Sequence, residues 1–212
     1  MPAKRKPTPP RAYHHGDLRQ ALIDAGLALV EEGGAEALSV REVARRAGVS
    51  SAAPFRHFPS RIALMNAIAE EAMQRFHGAF RAALADAPVD DPLARLRAIG
   101  LAYLRWAFRN PTHFQILSDR SQFDFDGGDA LREDDREIRE AMAHAMEEAM
   151  GRGQIREADL RLLQLTGRAL VYGLGRMQID GHMSRWGVAP VEAERMAVAA
   201  LDLFIAGLSK PS

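Results

Sequence analysis

Residues 39–58 read SVREVARRAGVSSAAPFRHF, and within that stretch the sequence starts a helix, stops it and starts another. The Ser39 hydroxyl can accept the backbone N–H of Glu42, and Glu42 can reach back to Ser39, which is the pattern of a capping box. Val40, Val43, Ala44 and Ala47 recur at spacings of three and four, giving one apolar face, while Arg41, Arg45 and Arg46 take other directions. Gly48 is placed to take the left-handed backbone of a tight helix exit. Val49 is the expected buried residue of the turn, and Ser50 is a second N-cap candidate. Ser51, Ala52 and Ala53 are small enough to let a helix N-terminus approach base edges closely. The pattern is that of a helix-turn-helix, although the same shape also serves as a plain corner in helical proteins.

Pro54 disturbs the second element. It has no N–H for the Ser50 carbonyl and biases Ala53 away from helical geometry, so the first turn should be short or irregular. Elsewhere the periodicity predicts helices at about 17–33, 39–47, 50–56, 60–86, 92–109, 111–119, 128–151, 156–182 and 190–208. Pro88 with Pro92, Asn110-Pro111, Gly127-Gly128, Gly151 with Gly153, and the segment from Gly187 to Pro190 mark the loops. Alternating strand patterns are absent. The expected class is all-α with nine helices: a flexible arm at 1–15, a three-helix head at 16–76 and a helical body at 77–212.

The chain resembles the tetracycline-repressor (TetR) family of bacterial regulators. The match lies in GVS at residues 48–50, in the stretch from Phe55 to Phe58, in PSR at 59–61, and in the helix and glycine-containing link from His14 to Val40. The resemblance implies DNA contact by Ser39, Arg41, Ser50, Ser51, Ala52, Ala53, Phe55, Arg56, His57 and Arg61. Arg56 would read a guanine or meet a phosphate, and Ala52 or Ala53 would meet a thymine methyl. Three residues depart from the family. Phe55 and His57 stand where it often has phosphate-binding tyrosines, so packing is expected of Phe55 and an imidazole replaces the second phenol. Arg61 replaces the usual lysine, a fork in place of a point charge, and is expected to pair with a phosphate.

Charge distribution agrees with this resemblance. Residues 1–61 hold ten Lys/Arg against six Asp/Glu, a net of +4, while the remainder holds 18 against 22, a net of −4. One end is thus attracted to phosphate and the other repelled, despite zero net charge overall. The arm MPAKRKPTPPR should be disordered when free, with Lys4 and Lys6 either lying along the minor groove or simply solvating the tail. It has no apolar signal-peptide core, and no run approaches a membrane span. The absence of cysteine excludes disulfide and thiolate chemistry. A cytoplasmic protein is expected.

In the body, Leu163, Gly167, Leu170 and Leu174 form one stripe and Ala199, Leu203 and Phe204 another. The resemblance implies that these two helices pair with their copies as a four-helix dimer interface, whereas an intrachain core would use the same stripes. Two reading heads about one duplex turn apart imply an inverted-repeat operator. A Met- and aromatic-rich zone includes Tyr103, Trp106, Phe108, Phe114, Phe123, Phe125, Met142, Met146, Met150, Tyr172, Met177 and Trp186. In the family this body encloses an effector cavity, and Tyr103, His113, Phe114, Met146 and Tyr172 are the expected lining. ALVYGL at 169–174 is similar to part of a subgroup with a Trp-His-Gly-bearing C-terminal domain.

Catalytic and metal readings find little support. The seven histidines (His14, His15, His57, His77, His113, His144 and His182) are scattered, with no HExxH and no nucleophile elbow. Asp124, Asp126 and Asp129 lack the ligand order of a Ca²⁺ loop. No enzyme activity, cofactor or metal is expected. The implied function is a homodimeric repressor released from double-stranded operator DNA by a small-molecule effector. The alternatives are an activator or ligand-insensitive regulator of the same family, or a small-molecule-binding helical protein without DNA binding.

Overall fold

Helix α1 (His15–Gly33) ends at paired glycines, where Gly34 takes φ +74° and its N–H donates to the Val30 carbonyl at 2.8 Å. A 3-10 turn (Ala35–Ala37) leads to α2 (Val40–Arg46). These belong to the computed structural model of the chain, which describes residues 15–124 and 128–209. Lys4, Lys6 and nearly all of the expected arm lie outside the described residues, as do Phe125 and Asp126.

The start and stop of α2 follow local chemistry. The Ser39 Oγ accepts the Glu42 N–H at 3.1 Å, but the Glu42 carboxylate turns to Arg45 instead of completing the capping box. Gly48 sits at φ +70°, with its N–H on the Arg45 carbonyl at 3.2 Å and the Val49 N–H on that of Ala44 at 3.0 Å. That pair of bonds is a Schellman motif, which glycine permits at no steric cost. Val49 is only half-buried.

The helix expected at 50–56 is replaced by turns and a single 3-10 turn (Pro54–Arg56). The proline ring cannot donate to the Ser50 carbonyl. Ala53 donates there instead at 3.0 Å, and His57 donates to Pro54 at 2.9 Å, both across three residues. Ala53 itself keeps helical angles, φ −61° and ψ −44°, against expectation, with its N–H held in the turn by the bond to the Ser50 carbonyl. Helix α3 (Arg61–Ala85) follows, with the Ser60 Oγ accepting the Ala63 N–H at 3.1 Å.

The expected nine helices therefore become eight α-helices and several 3-10 turns among the described residues. The others are α4 (Pro92–Arg109), α5 (Pro111–Ser118), α6 (Asp129–Gly151), α7 (Leu160–Ile179) and α8 (Ala193–Leu208). Asp91 caps α4 ahead of a proline at its first position, accepting the Ala94 N–H at 2.9 Å. Asp159 caps α7 through the Arg161 N–H at 2.8 Å, which starts that helix later than the predicted 156. Pro190 opens a 3-10 turn (Pro190–Glu192) ahead of α8, again shortening the predicted span.

Chain packing divides the molecule between Leu64 and Met65, earlier than the expected head–body boundary at 76. In the second unit α4 is the central helix, packed by α6, α7 and α8. Close approach is set by glycines. A Cβ on Gly100 would stand 2.7 Å from a Leu201 methyl, and one on Gly175 2.9 Å from the Phe114 ring. Polar ties also join the helices. Arg97 grips Asp202 with two bonds at 2.6 and 2.9 Å, and His77 lies between Asp134 at 3.2 Å and Glu137 at 2.8 Å.

Candidate nucleic-acid interface and ligand cavity

In the first unit, Ser39, Arg41, Ser50, Ser51, Ala52, Phe55 and Arg56 are all exposed, whereas Ala53 and His57 are half-buried. The stretch from Ser50 to Ala52 thus presents small side chains and backbone after the Gly48 turn. Phe55 is 47% exposed while Phe58 is buried, so Phe58, and not Phe55 as expected, does the packing. Arg19 lies over the Phe58 ring at 5.5 Å.

The cations of this unit divide into two groups. Arg46 forms two bonds with Glu32, one of them at 2.7 Å, and this pairing holds the Glu32 carboxyl below its ordinary range. Arg45 does the same to Glu42. Arg61, expected on a phosphate, donates from Nη2 to the Ala35 carbonyl at 2.8 Å and from Nε to that of Leu38 at 3.2 Å. Its planar fork lets one guanidinium hold both backbone carbonyls at once. Arg41 and Arg56 have no ion-pair partner among the described residues, which leaves both charges available to a polyanion.

The second unit contains a cavity of about 600 Å³. Tyr103, Phe114, Met146 and Tyr172 line it, but His113 does not. Next to Phe114 on α5, His113 turns instead edge-on to Trp106, with ring centroids 6.5 Å apart. The wall is a connected aromatic belt. Phe76 meets Tyr103 at 5.3 Å and Trp106 at 5.0 Å, Tyr103 meets Phe114 at 5.7 Å, and Phe114 meets Tyr172 at 6.0 Å. Met73, Met142 and Met146 add adaptable apolar surface. Arg168 lies 4.6 Å from the Tyr103 ring centroid and 5.6 Å from that of Tyr172. Burial pushes the Tyr103 phenol up to about 12, against the opposing pull of Arg168.

Trp106 belonged to the aromatic zone legible in the sequence, yet Phe76 on α3 and Arg168 on α7 lay outside it. An arginine on a helix surface carries no sequence signal that separates a cavity wall from a solvated face.

The stripes expected at a dimer interface point in two directions. Leu163 is buried in a cluster with Leu96, Met146 and Ile155, and Gly167 is buried near the Phe204 ring, so both face inward. Leu170, Leu174 and Phe204 are half-buried, and Phe204 also lines the cavity. Ala199 is exposed and Leu203 is 76% exposed. Leu162, 59% exposed and missed by the stripe, lies about 100° around the helix from Leu163.

Among the described residues no group of three or more metal-ligating side chains forms a site, and no helix is long and apolar enough to cross a membrane. Residues 22–72 match the family model for bacterial regulatory proteins of the tetR family, and residues 96–204 match that for the tetracyclin repressor-like C-terminal domain. The HTH-type transcriptional regulator BetI of Yersinia pestis is 38% identical over 81 residues, 38% of this chain and 41% of that protein. The HTH-type transcriptional repressor KstR of Rhodococcus jostii is 32% identical over 105 residues, 50% of this chain and 48% of that protein. The matched stretches thus span less than half the length of these relatives. Among solved structures, a protein of unknown function from Rhodococcus sp. RHA1 is similar with a TM-score of 0.77 at 28% identity, covering 94% of this chain and all of that one. The transcriptional regulator PfmR of Thermus thermophilus is similar with a TM-score of 0.70 at 25% identity, covering 91% and 98%.

Proposed function

The chain belongs to the TetR family of bacterial regulatory proteins, a family of DNA-binding transcriptional regulators rather than enzymes, and on that premise we propose that it is a cytoplasmic, dimeric repressor released from an inverted-repeat operator by a small-molecule effector. The observation that carries this reading is the surface after Gly48: exposed Ser50, Ser51 and Ala52, flanked by Arg41 and Arg56, two cations with no ion-pair partner among the described residues. Small residues admit the backbone to the major groove, and the two arginines supply phosphate or guanine contacts. Repression draws on the Rhodococcus relative named as a repressor. Helix α3 carries the cavity residues Met73 and Phe76 and begins at Arg61. An effector that prefers one arrangement of this helix lowers operator affinity by that difference in binding free energy.

The test is a gel shift with duplex DNA from upstream of the protein's own reading frame. A complex that resists nonspecific competitor and weakens steeply with salt is expected. Its absence with every inverted repeat in that region would refute the reading.

A further inference from the structure

We infer that the cavity of the second unit takes an apolar carboxylic acid, with the carboxylate against Arg168. The inference rests on reading this cavity as the effector site. Arg168 carries it: the residue lines the cavity, its guanidinium over the rings of Tyr103 and Tyr172, with no carboxylate among its described partners.

The other charges reinforce an anion. Arg139 also lines the cavity, where its charge is met by Asp135 at 2.9 Å, and among the described residues no second carboxylate lines the wall to receive a cationic ligand. The rest of the wall is aromatic and aliphatic, with Phe76, Trp106 and Phe114 in ring-to-ring contact beyond Tyr103, so the ligand must be apolar away from its carboxylate. A volume of about 600 Å³ lies within the range that encloses a fatty-acid- or drug-sized molecule.

The experiment titrates the full chain calorimetrically with four probes below their aggregation limits: dodecanoate, its methyl ester, 1-pyrenebutyrate and its methyl ester. Each acid is expected to bind at least about tenfold more tightly than its ester. Arg168→Met, which keeps the apolar stem, should remove the preference, and Arg168→Lys should retain part of it. Equal binding of acid and ester, or an unchanged preference in Arg168→Met, overturns the carboxylate assignment alone. Failure of all four probes to bind overturns the effector-cavity reading itself and the inference with it.

Discussion

Replacing Arg61 by alanine removes two charge-assisted hydrogen bonds to backbone, those to the Ala35 and Leu38 carbonyls at 2.8 and 3.2 Å. A bond from a charged donor contributes about 1.5–3 kcal/mol when fully buried, and these are partly buried, so water recovers much of the loss. The net cost is about 2 kcal/mol of local stability in the link between α1 and α2. Both tryptophans, Trp106 and Trp186, lie in the second unit, so their fluorescence does not report on this segment. Amide hydrogen exchange does. The N–H of Leu38, bonded to the Ala35 carbonyl at 3.2 Å, should exchange about 30-fold faster in Arg61→Ala. Arg61→Lys keeps the charge but cannot hold two carbonyls with one fork, so it should accelerate exchange nearly as much. The salt dependence of binding to duplex DNA separates this account from a phosphate contact. A clamp leaves the slope of log affinity against log salt unchanged, whereas loss of one phosphate contact lowers it by about 0.9. Unchanged exchange together with a lower slope in Arg61→Ala would refute the clamp.

The other predictions address separate parts of the molecule. The folded pKa of Tyr103, about 12, lies above the ordinary value of 10, so its contribution to stability is intact below pH 10 and is lost as pH rises toward 12. Between those limits the wild type should lose about 2–3 kcal/mol more than Tyr103→Phe in urea titrations, and parallel losses would contradict the burial argument. Leu203→Asp, at a position 76% exposed in the protomer, should leave the melting temperature of a dilute protomer nearly unchanged while light scattering shows dissociation. A dimer that survives would move the interface elsewhere. Gly175→Ala places a methyl 2.9 Å from the Phe114 ring and should cost about 1–3 kcal/mol, read as a lower urea midpoint. Pro54→Ala restores an N–H for the Ser50 carbonyl, so Cα chemical shifts over 51–56 should move toward helical values. Static shifts would show that something other than the ring sets the 3-10 turn.

Features whose cause is local were the legible ones. Gly48 could be read because a tight exit needs positive φ at one residue, and the Ser39 cap because its donor is three positions away. The reach of Glu42 back to Ser39 was not realised, since Arg45 on the same face offers the carboxylate a charged partner. Pro54 announced an irregular element, but not that Ala53 would stay helical while the ladder shifted to three-residue bonds. Arg61 was illegible for a different reason. Its partners are carbonyls 23 and 26 residues away, and backbone oxygens leave no mark in a sequence. The cavity shows the same division. Tyr103, Phe114, Met146 and Tyr172 stood out by residue type, whereas Arg168 looked like any solvated cation and His113 turned aside. Leu163 and Gly167 share a helical stripe with outward positions, and periodicity alone does not separate the core from a second copy of the chain.

Selection of the full chain's binding sites from a pool of random duplexes tests most directly whether residues 39–58 read DNA. The account predicts enrichment of an inverted repeat with half-site centres about 10 base pairs, or a multiple of that, apart. It also predicts that Arg56→Ala changes the enriched bases or weakens all of them, according to whether Arg56 meets a guanine or a phosphate. A pool that stays random after repeated rounds, or an enriched motif indifferent to Arg56→Ala and Ala52→Glu alike, would contradict it.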